Sequence, residues 1–468
     1  MRILSITAQK PHQTGSGTYL TELVRAFDRR GHVQGVVCGV YPDDVISLPA
    51  GVHAYPVYFR ENCGNDAVRG SEARTEASAD PADRSADADS PSADAPCVPF
   101  PIAGMSDVMP YTSTRYCDLT AAMASEFSGA FLAQVDRAVA DLDPDLILCH
   151  HLFYLTSLVR ARYPDRFVAG LCHGSDLRQM RNCLGAAESP YHGQSYLATI
   201  ASDITRGIAG LDAVYALHEG QREQILNLYA PSQPDRMTVV GTGYNPELFY
   251  HTDPADPAAD NAGAPVRVIY AGKLCREKGT PELFQALEAI ALDDCTPPFE
   301  LRLAGGCKDP STRGLLDVAW HYPMHYLGLL PQRDLADEFR RSDVFVLPSY
   351  YEGLPLVLIE AMACGLRTVC SDLPGVRGWL ADAIPDYNTR FVALPAMTGV
   401  DTPDPASIPD YIARLAEALR SEVTAAHADR TASRDGSAPV PRNVPDTAGA
   451  TWDAVASRVC NFYQKFTN

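Results

Sequence analysis

Short apolar runs alternate along the chain with amphipathic stretches, and polar or glycine-rich turns separate them. Leu146–Cys149 and Phe167–Cys172 are continuously apolar, as is typical of parallel strands buried on both faces. The stretch 20–27 places its apolar residues at helical spacing instead. This order of strand, turn and helix recurs through both halves and predicts the α/β fold class with parallel sheets.

The strand and helix pattern is interrupted at positions that divide the chain. Its 468 residues, 46% of them hydrophobic, suffice for two cores. Trp452, Val455, Val459 and Phe462 lie on one stripe of a last helix, which must dock on another element. The predicted parts are an N-terminal domain 1–249 with a disordered acidic insertion at about 66–99, a linker 250–265, a C-terminal domain 266–427, a mobile segment 428–450 and a terminal helix 451–468.

Charge and cysteine content narrow the classes of partner. A formal net charge of −19 argues against nucleic acid and against adhesion to anionic membranes, because both need basic surfaces. Thirteen scattered cysteines, an odd number, predict reduced thiols rather than a disulfide or zinc framework. Without a recognisable signal peptide or membrane span we expect a cytoplasmic protein, peripheral at the membrane only if its substrate is lipid-linked.

Two glutamates stand eight positions apart in the stretch 348–365. Glu352 falls in a loop at the carboxyl end of a predicted parallel strand, where open α/β sheets bind ligands. Glu360 lies on a helix that is apolar on nearly all sides, so its carboxylate needs hydrogen-bond donors. The vicinal hydroxyls of a ribose would supply two such donors. A buried arginine or backbone N–H groups are the structural alternative.

Basic residues and glycines precede a predicted helix in the second half. Lys273, Arg276 and Lys278 lie between Gly272 and Gly279, just before Thr280 as the expected N-cap. Lysine and arginine donors beside a helix N-terminus suit a diphosphate. A solvated run of charges is the alternative.

Three turns in the first half carry further candidates. Gly15 and Gly17 follow the first strand and would let backbone N–H groups approach a phosphate or a sugar, although a tight turn would look the same. His150 and His151 end one strand, and the turn 173–176 ends the next. These turns could face a substrate, or they could hold satisfied histidines and a turn capped by an aspartate.

This order of features resembles the retaining nucleotide-sugar glycosyltransferases of the glycosyltransferase group 1 family, which are glycogen-synthase-like. The resemblance runs from Met1 to about Arg377. Its most specific part is E-G-L-P-L-V-L-I-E at 352–360, supported by G-K-L-C-R-E-K-G at 272–279 and H-G-S-D at 173–176. It implies the GT-B architecture: two facing Rossmann-like domains, a cleft between them, and a C-terminal helix that crosses back to the first domain.

The resemblance also implies roles for residues that match the motifs. Glu360 would hold the donor ribose, Glu352 would face the transferred sugar, and Lys278 would bind the diphosphate. Lys273 stands where the family usually has arginine, and Asn245 replaces a common aspartate. The implied catalytic residues are Glu352, His173 and Lys278; the donor-binding residues are Glu360, Lys273, Gly272, Gly353, Leu354, Gly15 and Gly17; and the acceptor-side candidates are His150, His151 and Asp176.

The implied activity is transfer of a sugar from a nucleoside-diphosphate sugar to an acceptor hydroxyl with retention of configuration, in glycan or glycoconjugate synthesis. The acceptor would be a glycan, a lipid-linked sugar or a small molecule, and neither a cofactor nor an obligatory metal is expected. A nucleotide-sugar epimerase of the same architecture and a non-catalytic scaffold are the rival interpretations. The intact pair of glutamates argues against the scaffold.

Overall fold

A computed structural model describes residues 1–61, 97–106, 109–185, 195–252, 264–399, 401–432 and 444–467. It divides into two compact units. The first comprises Met1–Leu217, Gln221–Val240 and Ala456–Asn468, and the second comprises His218–Gly220 and Gly241–Val455. Each unit is built around a parallel sheet flanked by helices, which confirms the predicted α/β class.

The first unit contains a seven-stranded sheet in the order β3-β2-β1-β6-β7-β8-β9. The strands of this sheet are β1 (Arg2–Ile6), β2 (Val33–Val40), β3 (Val52–Tyr58), β6 (Leu146–His150), β7 (Val168–Leu171), β8 (Ala213–Ala216) and β9 (Met237–Val239). The short strands β4 (Ala103–Gly104) and β5 (Thr114–Arg115) pair with each other in a separate two-stranded sheet. Its helices are α1 (Gly15–Arg29), α2 (Ala121–Leu142), α3 (Tyr154–Arg162), α4 (Ser175–Cys183), α5 (Tyr196–Thr199), α6 (Ala201–Ala209) and α7 (Glu219–Tyr229).

The second unit contains a six-stranded sheet in the order β12-β11-β10-β13-β14-β15. Its strands are β10 (Val266–Ala271), β11 (Phe299–Ala304), β12 (Met324–Gly328), β13 (Val344–Leu347), β14 (Arg367–Ser371) and β15 (Thr389–Val392). Its helices are α8 (Thr280–Ala291), α9 (Pro310–Leu315), α10 (Gln332–Arg340), α11 (Leu356–Ala363), α12 (Val376–Ala383) and α13 (Ile408–Ala432), and α14 (Trp452–Gln464) follows.

The strand order of each sheet reverses at one place. In the first unit β1 pairs with both β2 and β6, and in the second unit β10 pairs with both β11 and β13. The connections leave these neighbouring strands in opposite directions, so a crevice opens at their carboxyl ends, where doubly wound sheets bind ligands. The loops after β1, β6, β10 and β13 are therefore the places where the fold favours a site.

From Ala456 onward the final helix packs within the first unit, as the resemblance predicted, whereas its first turn up to Val455 belongs to the second unit. The Tyr215 hydroxyl donates to the carbonyl of Val459 at 3.2 Å, and the rings of Phe167 and Tyr463 meet edge to face with centroids 4.8 Å apart. The apolar stripe on α14 thus finds the partner that its spacing required. No helix in the described part of the chain is long and apolar enough to cross a membrane.

The unit boundaries differ from the sequence prediction. The first unit ends at Val240 rather than at 249. Residues 241–249 join the second unit because Arg340 donates to the carbonyl of Leu248 at 2.7 Å and the Phe249 ring packs against Phe339.

Parts of the predicted mobile segments are ordered. α13 runs to Ala432, into the predicted mobile segment 428–450, since Arg430 bonds to the Asp343 carboxylate at 2.5 Å. Val98, inside the predicted insertion 66–99, is buried, and its N–H donates to the carbonyl of Tyr58 at 2.8 Å. The remainder of the insertion (66–96), of the linker (253–263) and of the segment 433–443 lies outside the described residues.

Candidate active site

The loop after β10 carries the two predicted phosphate-binding lysines. The Tyr270 hydroxyl donates to the carbonyl of Lys273 at 2.6 Å, and the N–H of Leu274 donates to the carbonyl of Gly306 at 2.9 Å. Gly272 has φ 153°, and a side chain there would meet the Tyr270 hydroxyl. The loop is thus fastened from both sides at the carboxyl ends of β10 and β11.

Gly279 brings this loop against the one after β13. Its φ is 64°, and a Cβ atom would lie only 2.1 Å from the carbonyl oxygen of Pro348, so only glycine fits. The N–H of Tyr350 donates to the carbonyl of Glu277 at 3.1 Å. The predicted N-cap Thr280 is instead the first residue of α8, with Gly279 as the cap. The close approach of the two loops accounts for the difference.

Lys278 and Glu352 form an ion pair across these loops. Lys278 Nζ lies 2.6 Å from Glu352 Oε1, and it also donates to the carbonyl of Tyr351 at 3.3 Å. The buried Ser349 hydroxyl donates to the same carboxylate oxygen at 2.9 Å. One oxygen of Glu352 is therefore held by two donors, and the structure joins two residues that the sequence analysis had treated separately.

Lys273 lies in a positive and partly desolvated environment. Burial lowers the pKa of Lys273 below its ordinary value, and the charges of Lys278 and Lys308 lower it further. An arriving anion would relieve this cost. The sequence analysis missed Lys308, although its place directly after a strand and the glycine pair 305–306 is a signal that could have found it.

Glu360 lies on α11, which begins at Leu356 with Pro355 as its N-cap. Its side chain is buried, at 5% exposure, among apolar neighbours of the same helix. Leu354 is also buried, whereas Gly353 is half-buried. Residues 353 and 354 lie between Glu352 and the start of α11, and Gly365 follows the helix with a positive φ of 82°.

In the first unit three histidine rings meet at the carboxyl ends of β6 and β7. His150 Nδ1 lies 3.1 Å from His173 Nε2, and the two rings are stacked with centroids 5.3 Å apart. The His151 ring lies 4.7 Å from that of His173, and the Tyr19 ring meets His173 edge to face at 5.1 Å. The sequence analysis proposed all three histidines, and the fold brings them into one cluster.

Asp176 holds the backbone beneath this cluster. The side chain is fully buried, and its Oδ2 accepts from the N–H of Leu152 at 2.7 Å. The carboxylate also accepts from the N–H groups of His173 at 3.3 Å and of Leu177 at 3.2 Å. This set of donors fits the turn-capping alternative of the sequence analysis and a positioning role, rather than contact with an acceptor.

The two glycines after β1 differ in their surroundings. A Cβ atom at Gly17 would lie 2.7 Å from the carbonyl oxygen of Lys10, whereas one at Gly15 would meet nothing within 4 Å. Thr14 caps α1 by accepting from the Gly17 N–H at 3.0 Å. Close packing thus explains why residue 17 is a glycine. At Gly15, by contrast, the space beside the first turn of α1 is unoccupied by other atoms of the described residues.

A buried lysine beside this turn also escaped the sequence analysis. Lys10 is 6% exposed, pairs with Asp44 at 2.6 Å and lies 4.2 Å from the centre of the Tyr41 ring. Within the described ranges, no group of three or more histidine, cysteine, aspartate or glutamate side chains is arranged to hold a metal ion.

Comparison with known proteins gives a consistent result. The family model for the glycosyl transferases group 1 matches residues 265–417, the segment that holds the lysines and both glutamates. The α-maltose-1-phosphate synthase of Mycolicibacterium smegmatis is 28% identical over 281 residues, which are 55% of this chain and 64% of that protein. The D-inositol 3-phosphate glycosyltransferase of Frankia alni is 28% identical over 54% of this chain and 65% of its own length. The alignments thus span less than two thirds of these relatives.

Solved structures share the fold over the whole chain. The sucrose-phosphate synthase of Thermosynechococcus elongatus superposes with a TM-score of 0.63 at 19% identity, covering 100% of this chain and 99% of that one. WaaG, a glycosyltransferase involved in lipopolysaccharide biosynthesis, gives a TM-score of 0.55 at 13% identity over 98% and 99% of the two chains. These neighbours confirm the predicted GT-B class with its two Rossmann-like domains.

Proposed function

We propose that this chain, whose residues 265–417 match the family model for the glycosyl transferases group 1, transfers a sugar from a nucleoside-diphosphate sugar to an acceptor hydroxyl with retention of configuration. The observation that carries the proposal is the meeting of Lys278 and Glu352 at the switch point of the second sheet. Residues 265–417, which hold both, are also the segment that matches the family model.

The donor diphosphate would lie against Lys273, Lys278 and the N–H groups of 353 and 354. Both lysines follow β10, and an anion there would favour the charged form of Lys273, whose pKa burial lowers. Glu360, buried on α11, would accept hydrogen bonds from the two ribose hydroxyls, the role that the family resemblance implies for it.

Positive charge at the leaving group would supply the main catalytic effect. Breaking the anomeric bond develops negative charge on the departing diphosphate and positive charge on the sugar ring. The lysines would stabilise the negative charge on the diphosphate, and Glu352 would face the positive charge on the sugar ring. Because this charge comes from side chains and N–H groups, we expect transfer without an obligatory metal.

Glu352 is assigned an electrostatic role and not that of a nucleophile. Its Oε1 is engaged by Lys278 at 2.6 Å and by Ser349 at 2.9 Å. Ser349 would stay on this oxygen when a diphosphate draws Lys278 away, and a donor on a carboxylate oxygen lowers its nucleophilicity, which disfavours the double displacement that glycosidases use. Attack from the face that the diphosphate leaves, with a departing phosphate oxygen as the base, is the mechanism that we propose.

The proposal identifies the acceptor only by its chemical class. The relatives named above are an α-maltose-1-phosphate synthase and a D-inositol 3-phosphate glycosyltransferase, so phosphorylated sugars and polyols are the first class of acceptor to assay. Glycan and lipid-linked acceptors form the second and third arms of the same assay.

The test has two stages. A thermal-shift panel of nucleotide sugars should contain a donor that stabilises the protein, since a ligand at a hundred times its dissociation constant adds about 2.7 kcal/mol. That donor is then incubated in excess EDTA with each acceptor class, and proton NMR of the product reports its anomeric configuration. A glycoside with the configuration of the donor supports the proposal. An epimerised donor in the absence of acceptor would support the epimerase instead, and stabilisation by no nucleotide sugar would contradict both.

A further inference from the structure

The contact between His150 and His173 is close enough to fix the proton positions of both rings. His150 Nδ1 and His173 Nε2 are 3.1 Å apart, and their ring planes differ by only 15°. A hydrogen bond at this distance requires a proton on one nitrogen and a lone pair on the other.

Both rings are neutral in this environment. Burial lowers the pKa of His150 to about 3, and burial together with the neighbouring His151 and His150 lowers that of His173 well below its ordinary value. Asp176 is the nearby acid, and its carboxylate is taken up by backbone N–H groups. A neutral imidazole carries one N–H and one lone pair, so the proton on either ring determines what its other nitrogen can do.

The surroundings of His150 Nε2 decide which of the two nitrogens of His150 carries the proton. His150 Nε2 is buried and has no hydrogen-bond partner among the described residues. If it carried the proton, a buried N–H would be left without an acceptor, which proteins tolerate less well than an unused lone pair. The proton of His150 is therefore on Nδ1, and that N–H donates to His173 Nε2.

We propose that His150 is a positioning residue that holds His173 in its Nδ1–H form, so that His173 offers the donor sugar an N–H group and no lone pair. This inference rests on the proposed sugar transfer and on the family resemblance, which implies that His173 is a catalytic residue close to the donor sugar. The lone pair of His173 is already occupied by His150. His173 then orients the sugar by donating a hydrogen bond, and it cannot remove the proton from the acceptor hydroxyl.

Two substitutions of matched shape separate this role from simple packing. The amide nitrogen of asparagine can replace the Nδ1–H of histidine, whereas phenylalanine keeps the ring volume and provides no donor. We expect His150→Phe to lower the rate of sugar transfer by about tenfold, the effect of one hydrogen bond, with unchanged affinity for nucleoside diphosphate. His150→Asn should recover most of that rate. Equal rates for the two variants would overturn the proposal.

The tautomer itself is measured in the ligand-free protein. Long-range proton–nitrogen NMR distinguishes the two neutral forms, and the loss of signals in His173→Gln assigns that ring. We expect His173 as the Nδ1–H form in the wild-type protein and in His150→Asn, and a changed population in His150→Phe. An Nε2–H form in the wild type would overturn the proposal. Because this measurement needs no substrate, its outcome is independent of whether the protein transfers a sugar.

Discussion

Lys278 and Glu352 meet as an ion pair, with Nζ and Oε1 2.6 Å apart and the side chains 24% and 21% exposed. A pair at this depth is worth little to stability, because each charge loses solvation in forming it. Its value lies in function: the proposed diphosphate site is partly neutralised before the ligand arrives. A bound diphosphate would draw on Lys278 and leave the negative charge of Glu352 available to the sugar.

The lowered pKa of Lys273 predicts proton uptake on ligand binding. Burial and the neighbouring lysines keep this pKa below the ordinary 10.5. A bound diphosphate favours the charged form and raises the pKa again, so the affinity for nucleoside diphosphate should fall as the pH rises through the lowered value. Calorimetry at alkaline pH in two buffers of different ionisation enthalpy measures the protons taken up.

Lys273→Arg is the control for this prediction, since a guanidinium stays charged throughout the range. The variant should still bind nucleoside diphosphate, with little or no proton uptake. Uptake of the same size in the variant would assign the titration to another group.

Asp176 should contribute to stability more than its single charge suggests. Asp176→Asn places an N–H donor where the carboxylate accepts from the backbone of Leu152, His173 and Leu177. Leaving buried N–H groups without an acceptor costs about 1–3 kcal/mol each, so the melting temperature of the first unit should fall by several degrees. Calorimetric melting provides the measurement.

Asp203→Asn is a matched control on the same unit, because Asp203 is 65% exposed and pairs with the exposed Arg206. Its effect should stay within about 0.5 kcal/mol. If the two variants have the same melting temperature, the carboxylate of Asp176 does not hold the turn.

Gly279 should be irreplaceable where the two loops of the second unit meet. Gly279→Ala forces a Cβ atom to within 2.1 Å of the Pro348 carbonyl oxygen at a φ of 64°. The strain of such a backbone is of order 1–3 kcal/mol. We expect a lower melting temperature and weaker binding of nucleoside diphosphate, since Lys278 precedes the displaced residue. Gly314→Ala, at a helical position with open space around it, should lower neither quantity.

Much of the fold and the location of the site could be predicted from the sequence, because both depend on local patterns. Apolar runs gave the buried strands, and the polar residues that end them mark the carboxyl edge of each sheet. Glu352 and the lysines after β10 could each be placed in a loop at the carboxyl end of a strand in this way. The helix stop at Gly365 likewise depends only on the left-handed conformation that glycine adopts.

What could not be predicted depends on contacts between residues far apart in sequence. Seventy-four positions separate Lys278 from Glu352, and their pairing requires the close approach of Gly279 to Pro348. The bond between His150 and His173 requires β6 and β7 to be neighbours. The helical extension of α13 depends on the distant Asp343, so composition alone suggested mobility there.

The separate roles of the two glutamates are the central claim, and one calorimetric comparison tests them most directly. Nucleoside diphosphate is titrated into Glu352→Gln and Glu360→Gln, beside steady-state rates of transfer for both. Glu360→Gln should weaken binding roughly tenfold to a hundredfold, the effect of hydrogen bonds to a charged group, and should affect turnover at saturation less. Glu352→Gln should bind nucleoside diphosphate at least as tightly as the wild type, because Lys278 is released, while transfer slows by about 10²-fold. Equal losses of nucleotide affinity in the two variants would contradict the account.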